Sequence, residues 1–238
     1  MKKPGSTLSA MDAQGIGRIA ANTTLAACAG SLSAMVMPLW FGPNKGKFDL
    51  TFTMNGLLAG LVAITCPCYW VSPLGSILIG LVAGVMVYYG TLLLEYLRID
   101  DPVGAVPVHG ICGIWGTLSL GLFACGLYGA TGPTGADNSS PVAGLFYGGG
   151  WSVLKAQAIG SASITLATFA VAMILMWLVS KLPYPWKLRV EPMAETGLGL
   201  DLFEHGASAY YDLPMEPAMA LRVDKKDHPV PQYHELPV

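Results

Sequence analysis

This sequence predicts an all-α integral membrane protein, and three observations carry the prediction. Only 12% of its 238 residues are charged, about half the ~25% usual in soluble domains, and the mean hydropathy is +0.52. Apolar stretches of membrane length recur up to about Leu182, separated by short polar or proline-marked breaks. The 29 glycines stand well above the typical ~7%. Such a surplus is expected where helix backbones must approach closely in lipid.

A spanning helix takes ~20 mostly apolar residues, and about five stretches qualify. The first runs from Ile16 to Trp40 and the second from Leu50 to Tyr69, where Pro67 between Cys66 and Cys68 should kink or stop the helix. The third begins near Pro73 and ends near Leu97, with Glu95 and Arg98 marking the water boundary. The fourth runs from Val103 to Leu127 and the fifth from Val153 to Leu182. Beyond Pro183 the apolar runs stop and charges, prolines and histidines appear, so residues 1–182 read as a transmembrane domain and 183–238 as a solvent-exposed tail. After about Met215 the tail has repeated prolines and no helical period, which predicts disorder. Its earlier piece, Gly197 to Tyr211, keeps apolar and aromatic residues and is expected to dock on the membrane domain or on a partner.

Orientation follows from positive charges in short loops. Lys45, Lys47, Arg98, Lys181, Lys187 and Arg189 fall on one side and Lys2, Lys3, Arg18 and Lys155 on the other. The first side, with the tail, is therefore expected to be cytoplasmic. Lys2, Lys3 and Arg18 then stand outside, against the usual retention of positive residues before a first span, which suggests that another span should precede this chain.

Several function classes are excluded. The 13 Lys plus Arg against 15 Asp plus Glu make no basic face for nucleic acid. The five cysteines (Cys28, Cys66, Cys68, Cys112, Cys125) lie in apolar segments without zinc-ligand spacing, so they read as small apolar fillers and no metal or other cofactor is expected. No apolar run follows Met1-Lys2-Lys3 directly, as a signal peptide would need.

The residue that asks for a function is His109 in the fourth span. A titratable imidazole in hydrocarbon is costly and faces the bundle interior or a water-filled path. Imidazole donates and accepts through its two nitrogens and titrates near neutral pH, which suits passage of a small weak base or acid. No other histidine lies in a span, since His205, His228 and His234 are in the tail. No nucleophile, base or metal cluster accompanies His109, so an enzyme is not expected. Asp100, Asp101 and Pro102 suit a helix start, where carboxylates complement the dipole and proline is tolerated; the alternative is a cytoplasmic contact fixing the base of a pore. Gly110, Gly113 and Gly121, with Thr117 between, form a thin stripe suited to helix packing. Asn55 faces a vestibule or makes a helix-helix hydrogen bond.

These residues resemble the ammonium transporter (Amt/Mep) family. The resemblance rests on Asp100-Asp101-Pro102 with Val108-His109-Gly110, on Pro4-Gly5-Ser6-Thr7 with Ala21-Asn22-Thr23, on Asn55-Gly56 through Pro73-Leu74-Gly75, and on Gly199-Leu200-Asp201 to Tyr210. That family has about eleven spans in two inverted repeats, and this chain looks like the last five. The resemblance implies ammonium transport: the hydroxyl matching Ser6 accepts a hydrogen bond from the cation at an outer vestibule, and the deprotonated molecule passes an apolar path lined by His109. His109 would then be the second of two paired histidines. It also implies a homotrimer in the full-length form, a multi-pass position in the cell membrane, and control by PII-class proteins at the cytoplasmic tail. A truncated, non-transporting relative acting in interaction or sensing is the alternative from another class. A Rhesus-type gas channel ranks below both, because Asp100-Asp101-Pro102 with the Gly-Leu-Asp tail reads more like the microbial and plant transporters.

Overall fold

The computed structural model describes residues 13–41, 46–128 and 142–182. Packing divides the chain into two units, Met1–Ala167 and Thr168–Val238. The described residues form helices α1 (Ala13–Trp40), α2 (Leu50–Thr65), α3 (Pro73–Tyr96), α4 (Cys112–Phe123) and α5 (Ser152–Ser180). A π-helical turn, Val106–Ile111, leads into α4, and a 3-10 turn, Leu145–Tyr147, precedes α5. Two isolated antiparallel bridges, Val71 with Ala124 and Cys125 with Ala143, are the extended pairings among the described residues.

Among the described residues four helical stretches are long and apolar enough to span a membrane: Gly15–Trp40, Pro73–Tyr96, Val106–Phe123 and Ser152–Ser180. The protein is a multi-pass membrane protein. The second span expected from the sequence is shorter, because α2 stops after 16 residues, about 24 Å at 1.5 Å per residue. Turns occupy 66–70, where Pro67 has no N–H to continue the ladder. The turn residues nevertheless pack: Cys68 and Tyr69 are buried.

Glycine and alanine decide how the first unit assembles. α1 is wedged between α2 and α3, with backbones in contact. A Cβ on Gly60 would lie 2.8 Å from the Ala26 carbonyl carbon, and one on Gly80 would lie 2.8 Å from the Ala26 Cα. Gly30 of α1 faces Gly56 in the same way, a Cβ there meeting the Gly30 carbonyl oxygen at 2.6 Å. Glycine on α2 and α3 facing alanine or glycine on α1 lets three backbones share this space, and in lipid such close packing is what holds helices together. Around this junction Ile19, Ile64, Ile79, Val87 and Tyr88 are buried.

Polar side chains close the ends. The Asp49 carboxylate accepts from the Phe52 N–H at 3.1 Å and caps α2, while the Ser72 hydroxyl caps α3 at the Gly75 N–H, with Pro73 at its first turn. Asn22, fully buried, donates its Nδ2 to the Cys68 and Val71 carbonyls at 3.0 and 2.9 Å. It thereby satisfies backbone groups freed where α2 breaks, a necessity in a medium without water.

No residue of α5 is buried. Within the first unit its early part meets α4 twice. Thr117 Oγ1 donates to Ser161 Oγ at 3.0 Å, and Leu154 lies so close to Gly121 that a Cβ there would fall 2.5 Å from the Leu154 Cα. In the second unit the described residues are the remaining turns of α5 and the two residues after it, Lys181 and Leu182. Phe169, Val171, Met173, Ile174, Met176 and Trp177 are exposed, an all-round apolar surface suited to lipid.

Candidate functional site

The site grows from the turn that precedes α4. Asp101 accepts from the Ala105 N–H at 2.8 Å and the Val106 N–H at 2.9 Å through its two carboxylate oxygens. Between them Gly104 takes φ +70°, a left-handed conformation that glycine adopts without penalty. Asn55 Nδ2 donates to the Val103 carbonyl at 3.3 Å, tying this turn to α2. A Cβ on Gly104 would lie 2.7 Å from Asn55 Nδ2, so glycine is required twice over.

From here the chain winds as a π helix. Pro107 stands in the first turn, where a missing N–H costs nothing, and further on the Cys112 N–H reaches the Pro107 carbonyl five residues back. One extra residue in the turn alters which side chains face inward, and such bulges recur at functional sites. Inward go Pro107, Val108 and Cys112, followed by Gly116, Ser119 and Leu120 of α4. Cys112 Sγ donates to the Ala83 carbonyl at 3.5 Å and Trp115 Nε1 to the Ile79 carbonyl at 3.1 Å, both on α3. Outward go Ala105, Val106, His109, Gly110 and Ile114. His109 thus stands on an open face, flanked by small or apolar residues.

The remaining sequence candidates take these places. Asp100 and Asp101 line a cavity of about 390 Å³ with Asp49, Asn55, Glu95 and Gly104, at the Arg98 end of the bundle. Asp100 is exposed, whereas Asp101 forms the cap. Pro102 lies in the turn before the helix rather than in its first turn. Asn55 makes the hydrogen bond to the Val103 carbonyl, in the turn before the helix, and also borders the cavity. Ser6 and the tail segment Gly197 to Tyr211 lie outside the described residues. Of the glycine stripe, Gly121 is tightly packed, but a Cβ on Gly110 would meet only Val106 Cγ1 at 3.8 Å and one on Gly113 only Val62 Cγ1 at 3.9 Å. The close approach falls instead at Gly116, where a Cβ would meet the Ala63 carbonyl oxygen at 2.5 Å. Gly113, Gly116 and Gly121 all lie in the regular α4, so which of them is tightly packed depends on where Ala63 of α2 and Leu154 of α5 lie, which helical periodicity does not register.

The opposite end holds a cluster that the sequence marks only by its charge. The Arg18 guanidinium lies 3.6 Å from the ring centre of Tyr128 and 5.3 Å from that of Tyr69, and donates to the Tyr69 carbonyl at 3.3 Å. This cation stacks on aromatic faces and joins α1 to the segments after α2 and α4.

Fold and site together define a multi-pass helical membrane protein with a histidine on the open face of one span. The sequence matches the Ammonium Transporter Family over residues 3–210, and the chain belongs to that family, which consists of transporters rather than enzymes. It is similar to ammonium transporter Amt2 of Archaeoglobus fulgidus, with 45% identity over 207 residues covering 87% of this chain and 41% of that protein. Among solved structures it is similar to Mep2 of Saccharomyces cerevisiae (27% identity, TM-score 0.66, 75% of this chain and 38% of that one). It is also similar to a sensor Amt protein (30% identity, TM-score 0.63, 80% of this chain and 42% of that one). The chain spans about 40% of the length of these relatives.

Proposed function

We propose that this chain supplies one wall of a transmembrane path for ammonium or ammonia and acts together with the remainder of a family-type fold. The observation that carries the reading is the outward position of His109 on a span whose other face is packed on α3. A buried histidine would serve packing; an imidazole turned away from its own helices needs a polar or water-bearing neighbour in the membrane. In this reading Ser6 helps recruit the cation at the outer mouth, His109 exchanges its proton, and Asn55 borders the inner mouth beside the acidic cavity. The tail is cytoplasmic, the assembled protein is a homotrimer in the lipid bilayer, and a PII-class protein regulates it there.

Ammonium uptake by the assembled protein in proteoliposomes tests the reading. His109→Ala should change the rate by about ten-fold or more, the scale on which a lost proton-handling group is felt. Unchanged rate and unchanged preference for ammonium over methylammonium would count against the pore role. The similarity to a sensor Amt protein favours a second reading, an interaction or sensing protein. Absence of flux from the assembled wild-type protein, with co-purification of a regulator, would support it.

A further inference from the structure

We propose that Gly90 of α3 is a positioning residue for His109, acting through the π turn; this rests on the reading that His109 lines the path. A Cβ on Gly90 would meet Ile111 Cδ1 at 2.8 Å, Pro107 Cβ at 3.2 Å and Pro107 Cγ at 3.6 Å. The bare α-carbon of Gly90 is thus a notch that receives two side chains of Val106–Ile111, one on each side of His109 in sequence.

The two contacts differ in kind. Ile111 Cδ1 is the end of a flexible side chain and swings aside at small cost. The Pro107 ring is fused to the backbone, so displacing it displaces the turn itself. Pro107 is buried, and the residues just before it are held by the Asp101 carboxylate and the Asn55 contact to Val103. A push from α3 on the Pro107 ring is therefore passed to the turn that carries His109 and Gly110, both exposed. The notch and the π turn act as one device: Gly90 admits Pro107 at the depth that leaves His109 outward and Cys112 inward.

The test uses a ratio that does not depend on the amount of folded protein: the maximal uptake rate for ammonium divided by that for methylammonium, on the assembled protein in proteoliposomes. Gly90→Ala should shift this ratio by about ten-fold, as misplacing a reacting group by a fraction of an ångström does. Adding Ile111→Val, which removes the 2.8 Å contact, should leave most of the shift in place because the Pro107 contact remains, and full return to the wild-type ratio would overturn the role given to Pro107. If Gly90→Ala does not yield folded protein, Pro107→Ala loosens the same seat without adding volume and should shift the ratio too. A folded Gly90→Ala protein with the wild-type ratio, while His109→Ala alters transport, overturns the inference and leaves the pathway reading standing. Unaltered transport in both variants removes the pathway reading and this inference with it.

Discussion

Gly60→Ala probes one of the closest backbone approaches in the bundle. The new methyl would lie 2.8 Å from the Ala26 carbonyl carbon and 3.0 Å from the Ala27 Cα, against an ordinary carbon–carbon contact of roughly 3.5 Å or more. The Ala26 carbonyl oxygen lies closer still, and all three are backbone atoms, so no rotamer relieves the clash and α1 must move away from α2 by at least roughly 0.7 Å. Overpacking costs about 1–3 kcal/mol and, where only backbone atoms are met, falls in the upper part of that range, about 2–3 kcal/mol, of which the better helix propensity of alanine offsets about 1 kcal/mol. The remaining ~1–2 kcal/mol corresponds to a melting temperature lower by about 2–8 °C for a chain of this size. Gly160→Ala in α5, where nothing lies within 4 Å of a new Cβ, is the comparison and should melt at or slightly above the wild-type temperature. Detergent-solubilised protein heated stepwise and read by size exclusion measures both. A Gly60→Ala protein that melts as high as the Gly160→Ala protein would refute the close-contact account of how these helices associate.

Two further perturbations test the polar contacts. Asn22→Leu leaves the Cys68 and Val71 carbonyls without their donor and should destabilise by about 1–3 kcal/mol, read as a lower melting temperature in the same assay; an unchanged melt would mean that these carbonyls find other donors. Asp101→Ala removes both N–H acceptors at the start of the π turn and should cost about 0.5–2 kcal/mol. Faster hydrogen exchange confined to the Ala105 and Val106 amides would confirm the local origin of that loss.

How much of the site was legible beforehand can be judged residue by residue. His109 stood out because a titratable group interrupts an apolar run, and Asp101 because carboxylates next to a proline mark a helix start. Both signals are local in the chain. Gly90 and Gly116 gave no such signal, since a glycine among 29 differs from the others only by what packs on it. Arg18 was visible as a charge, but its stacking on Tyr69 and Tyr128 joins residues 51 and 110 positions apart, which no local pattern contains. In the expected packing stripe Gly121 meets Leu154 of α5, while Gly110 and Gly113 make only ordinary contacts because α2 comes closest at Gly116.

By itself, then, the sequence determined the class of molecule, the number and rough limits of its apolar segments and the one span with a histidine. Transfer of apolar side chains into lipid and the punctuation of helices by proline and capping residues act over a few residues at a time. Tertiary structure alone decided which glycines are contacts, where α2 stops short and which way His109 faces. Those outcomes depend on the shape of neighbouring backbones, and van der Waals packing is specified only when all the helices are in place.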